Sequence, residues 1–256
     1  MATLAQPRLG AHDDKGFFLG AALVMTAVMV AGFGLNIVIG RSSFGKPLLV
    51  HAHAVVFFGW VFLYLAQNFF VASGRIALHR ALGWIGAFWV VPMLILGTLT
   101  PLARVQAGTV AFFFAPLQFL VYTPATLAAF ALLTYGAIAL RRHSDWHRRL
   151  HFCGMALLTG PGLGRLLPLP LLIPYALEAT FAVQLLFPLA GMIADGRRGG
   201  RIHPAWYWGM GMMVGSMVVI ELITFSPLGL ALYGWVTAGH LGASVPPLAF
   251  PPPPAP

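Results

Sequence analysis

Residues 17–39 read FFLGAALVMTAVMVAGFGLNIVI, with no acidic, basic or histidine side chain among them. A stretch of this length and polarity is long enough to cross the roughly 30 Å hydrocarbon core of a bilayer as a helix. Six more apolar stretches follow, at roughly 50–72, 82–102, 110–140, 150–173, 175–194 and 205–225. The expected fold is therefore all-α: a polytopic membrane bundle of about seven transmembrane helices in one domain over 17–242. A cytoplasmic amino-terminal segment (1–16) precedes it and a proline-rich external tail (243–256) follows. Residues 227–241 are apolar but short, an interfacial helix or an incomplete eighth span.

The connections carry the orientation. Of the 15 Lys and Arg residues, eleven fall on the amino-terminal side of the spans, three on the other side, and Arg165 within a span. Positive charge is retained in cytoplasmic loops, so the amino terminus is expected inside and the carboxyl terminus outside. Composition agrees: 59% of the 256 residues are hydrophobic and 8% charged, against about a quarter charged in a soluble domain. The net charge of +9 is thus a loop property. It implies anionic lipid headgroups at the cytoplasmic face as the partner, not nucleic acid. A single cysteine, Cys153, excludes an internal disulfide, and its expected role is as a small packing residue. His12, Asp13, Asp14 and Lys15 before a long apolar run read as the flank of a retained first span, not of a cleaved signal peptide.

One internal repeat stands out. His79, Arg80, Leu82 and Gly86 recur as His147, Arg148, Leu150 and Gly154, an offset of 68 residues, each set opening a span on the basic side. Such a repeat two spans apart is parallel in orientation.

Helical rise then sorts the polar residues into two layers. The outer layer holds His51, His53, Gln118, Arg165, Glu178 and Glu221, a candidate ligand-binding set. Arg165 cannot lose its proton and needs an anion, and Glu178 and Glu221 are the acids expected at its depth. Pairing there would stitch the spans together or build a binding pocket. The run 160–170, with three glycines and three prolines, is expected to break the helix, as at transporter sites. His51 and His53 point about 200° apart on a helix, so only one is expected to enter the bundle. The inner layer holds His143, His147 and His151, spaced to line one helix face, with His79 and His203 nearby. Imidazoles from different helices can hold haem or a transition metal. His79, His147 and His151 are the candidate cofactor ligands, with His143 and His203 further metal candidates. Against this, Arg141, Arg142, Arg148 and Arg149 read as a solvated, lipid-facing collar that disfavours a dication.

His51-x-His53 with Trp60, Gln67, Gly74-Arg75, His79-Arg80 and Leu82-Gly83, then Asp145-x-His147-Arg148-Arg149 and Gly160-Pro161-x-x-Gly164-Arg165, resembles an uncharacterised bacterial multi-pass membrane protein family of unknown function. The resemblance spans residues 50–166 and implies a bacterial inner-membrane protein without implying an activity. A weaker likeness is to b-type transmembrane cytochromes, whose histidines pair across a helical core, whereas these cluster at span ends. Three functional expectations follow. The leading one is a membrane redox component binding haem b or a metal through the inner histidines, with the other two as alternatives. Another is a permease or small-ligand-binding protein using Arg165, Glu178 and Glu221. The last is a structural scaffold. Nucleotide-binding loops, a nucleophile elbow and a retinal-type lysine are missing, and nothing in the sequence fixes the substrate, the oligomeric state or whether the protein is an enzyme.

Overall fold

The structure, a computed structural model, describes residues 14–42 and 44–252. Most of the expected amino-terminal segment and the last four residues of the tail lie outside that range. The described residues form helices and irregular connections, with no strand among them. The helices are α1 (Asp14–Val38), α2 (Leu48–Ala72), α3 (Ile76–Gln106), α4 (Pro116–Ala139), α5 (Ser144–Leu158), α6 (Gly160–Leu166), α7 (Ala176–Gly199), α8 (Pro204–Thr224) and α9 (Pro227–Thr237). Six of them, α1 to α4, α7 and α8, are long and apolar enough to cross a membrane.

Boundaries differ from the sequence expectation where proline and glycine act. The fourth span begins at Pro116, not near residue 110, because Gly108 adopts a left-handed φ of 67° that ends the α3 segment. Pro116 then starts α4, and its missing N–H is one the first turn would leave unpaired anyway. The stretch expected as one broken span over 150–173 is α5, α6 and a single 3-10 turn over Leu169–Leu172. At 11 residues, α9 is too short to cross.

α4 and α5 make the bundle centre. Phe130, Leu117, Phe152, Met155 and Trp206 are essentially inaccessible. α2 and α3 instead present Val55, Phe62, Phe69, Ile85, Phe88 and Ile95 outward, apolar side chains that suit lipid contact. The two halves of the repeat use their glycines alike. Gly86 lets α3 approach Leu63 and Trp60 of α2, and Gly154 lets α5 approach Phe130 and Leu133 of α4. The described part of the proline-rich tail is docked, not free. Pro247 carbonyl accepts the Leu117 N–H at 2.8 Å, capping α4, and Tyr233 donates to the carbonyls of Gly242 and Val245.

Two rims result. The starts of α1, α3, α5 and α8 and the end of α7 meet at one, termed the basic rim. The starts of α4 and α7 and the end of α8 meet at the opposite rim.

Candidate functional site

At the opposite rim, α4 brings Gln118, 4% exposed, between two carboxylates. Its Nε2 donates to Glu178 Oε1 at 2.8 Å and to Glu221 Oε1 at 2.9 Å. Both acceptors lie within reach of one nitrogen, so the carboxylates of α7 and α8 are held within a few ångströms of each other. Glu178 stands in the first turn of α7, where the helix dipole favours negative charge. Its second oxygen is buried with no hydrogen-bond partner.

A second polar link lies on the same two helices. Pro161 has no N–H to give the Leu157 carbonyl four residues back, which opens the helical ladder between α5 and α6. Gln184, fully buried in α7, fills the gap: its Nε2 donates to the carbonyls of Leu157 and Ala156, and Tyr122 Oη donates to its Oε1 at 3.3 Å. Gln184 did not figure among the expected site residues. A lone amide in mid-span, set against a proline that orphans a carbonyl, was the available signal.

Arg165 does not join this group. Its Nη1 donates to the Pro161 carbonyl at 2.7 Å within α6, and its guanidinium lies 3.9 Å from the Phe33 ring centroid. Among the described residues it forms no ion pair with Glu178 or Glu221. The expected ion pair is corrected: α6 turns the arginine toward α1, while the glutamates face α4. His51 and His53 separate as their spacing requires. His51 Nε2 donates to the Phe44 carbonyl at 2.9 Å. His53 Nδ1 donates to Leu96 O of α3 at 3.2 Å and stacks on Phe57.

The basic rim holds two groups. His79 and His147 are each the fourth residue of their helices, and their rings meet edge to face with centroids 6.1 Å apart. The His151 ring lies 4.8 Å from that of His147. His147 Nδ1 donates to the Ala137 carbonyl at 2.8 Å, leaving Nε2 free. The other two histidines stand apart. His143 is the exposed residue before α5, so the helical register expected to align it with His147 has not begun. His203 caps α8 by accepting the Ala205 N–H at 3.1 Å and packs on Trp146. No group of three or more His, Cys, Asp or Glu among the described residues is arranged to hold a metal ion.

The other group replaces the expected solvated collar. Arg141 and Arg142 are exposed, but Arg149 is 5% exposed and grips Asp195 of α7 with two hydrogen bonds, Nε to Oδ2 at 2.9 Å and Nη2 to Oδ1 at 2.8 Å. Trp206 Nε1 donates to the same carboxylate at 2.8 Å. Asp14 pairs with Arg148 and Arg198, and Asp145 with Arg148. Arg148 and Arg149 also lie over the Phe18 ring. Three acids and three arginines from α1, α5 and α7 thus neutralise one another, with α8 contributing Trp206.

No family model, curated protein or solved structure matches this chain.

Proposed function

We propose that the protein is a seven-span permease or small-ligand-binding membrane protein that handles a proton or small cation at Gln118, Glu178 and Glu221. One observation carries the reading: two carboxylates at membrane depth share a single amide donor, with no basic side chain bonded to either among the described residues. Like charges so close disfavour each other, and one neutral amide does not offset them. A shared proton or a bound cation supplies the missing positive charge. Ionisable groups within spans typically mark such pathways. An open apolar groove of about 610 Å³ runs between α4 and α8, apart from the carboxylates, and suits a lipid chain better than a polar ligand. Its lining includes Ala125, Ala129, Gly211, Gly215 and Val219.

In this reading α5 and α6 together form the seventh crossing, and the basic rim faces the cytoplasm of a bacterial plasma membrane. There the exposed Arg75, Arg80, Arg141 and Arg142 meet anionic headgroups. Arg165 no longer serves as the ligand's partner.

The test uses purified protein in liposomes with a pH-sensitive dye trapped inside, under an imposed proton or sodium gradient. Flux in the native protein that falls at least tenfold in Glu178→Gln and in Glu221→Gln supports the reading. Absence of flux under both gradients rejects it.

The histidine stack favours a second reading, a membrane redox component. His147 has its Nδ1 anchored to a backbone carbonyl, the arrangement that presents a free Nε2 to a haem or metal ion. The missing three-ligand grouping weighs against it. A visible spectrum and metal analysis of purified protein, with His79→Ala and His147→Ala as controls, decides: no Soret band and no stoichiometric metal removes it.

A further inference from the structure

We propose that Arg149, Asp195 and Trp206 form a closed gate at the basic rim, opening when the three helices that supply them separate. Three helices meet at one carboxylate: α5 gives Arg149, α7 gives Asp195, and α8 gives the Trp206 N–H. All three side chains are at least nine-tenths buried. Asp14 ties α1 to the same point through Arg148 and Arg198, with Arg149 Nη2 at 3.9 Å.

An ion pair suits a gate better than it suits a weld. A buried pair stabilises no more than well-packed apolar side chains of the same volume would. Unlike them, its halves are favourably hydrated once apart, so the open state is accessible. Opening would exchange a pair in a dry core for two solvated side chains at the rim.

Behind the gate, polar groups recur at separate levels of an otherwise apolar core. Cys153 sits one turn beyond Arg149 on α5, fully buried, its Sγ packed against Gly209, which follows Trp206 by three residues on α8. Further along are the Ala156 and Leu157 carbonyls with Gln184 and Tyr122, and beyond them Gln118 with its two glutamates. The gate stands at one end of this series of polar groups and the carboxylate pair at the other.

The chain's only cysteine reports the state of the gate. Labelling by N-ethylmaleimide is followed on the full-length protein in liposomes. The native protein is expected to label at least tenfold more slowly than after denaturation in dodecyl sulfate. Asp195→Asn is expected to label at least tenfold faster than native, with unchanged helicity and elution volume. The exchanged pair, Arg149→Asp with Asp195→Arg, should return most of the protection. Trp206→Phe, which removes the N–H donor and part of the buried ring, should give a smaller increase. A folded Asp195→Asn protein that labels at the native rate overturns the gate. If Asp195→Asn loses its fold, Trp206→Phe decides, and a native rate there overturns the gate equally. Labelling that responds while liposomes show no proton or sodium flux keeps the gate and rejects the permease. Flux without a labelling response does the reverse.

Discussion

The two rims treat charge in opposite ways. At the basic rim Arg149 finds Asp195, and every acid there among the described residues has an arginine. At the opposite rim two glutamates share an amide, and the nearest expected cation, Arg165, turns away onto Phe33. The arginines belong to consecutive helices, α5 and α6, but stand at opposite rims, and only the first meets a carboxylate. Neutrality is built into one rim by side chains; at the other, under the proposed function, an arriving ion supplies it.

Removing one partner should therefore have opposite signs at the two ends. Arg149→Leu strands the buried Asp195 carboxylate and is expected to cost about 3–5 kcal/mol of stability, measured by unfolding in mixed micelles. A loss below about 1 kcal/mol would show that the basic-rim pairs are no more than surface contacts. The packing beneath gives the next effect. A Cβ at Gly209 would overlap the Cys153 sulfur, so Gly209→Ala should cost about 1–3 kcal/mol by overpacking, read in the same assay.

At the opposite rim, Glu178→Gln removes one of two like charges. It should leave stability unchanged or raise it by about 1 kcal/mol, while abolishing flux. A loss comparable to that of Arg149→Leu would erase the contrast between the rims.

The smallest effect concerns pH. Burial, helped by the Arg149 cation, holds His203 below its ordinary value of 6.5. The neutral ring accepts the Ala205 N–H, and a protonated ring would lose that cap. A group whose folded-state pKa is depressed sheds its contribution as pH falls from its unfolded value toward the folded one. Native protein should therefore lose about 1 kcal/mol between pH 7 and 5. His203→Asn, which keeps a capping acceptor without titrating there, should reduce that dependence.

Much of this was legible before any tertiary contact was known. The alternation of apolar runs and basic loops gives the helices. The 68-residue repeat predicts that His79 and His147 occupy equivalent places, and their rings do meet. Gln118, Glu178 and Glu221 were expected at one depth and are bonded together. Arg148 and Arg149 are adjacent in sequence and indistinguishable by composition, yet only Arg149 is fully buried. Residues 141–151 read as a solvated collar because a local pattern records charge, not which helix will lie opposite.

The sequence by itself determined that the chain is a bundle of membrane-length helices with polar groups sorted to two rims. Transfer of side chains between water and hydrocarbon depends on residue type and length, which are local quantities. The tertiary structure alone decided which charges meet, because a turn of about 100° per residue and the choice of neighbouring helix set whether an arginine faces a carboxylate or an aromatic ring.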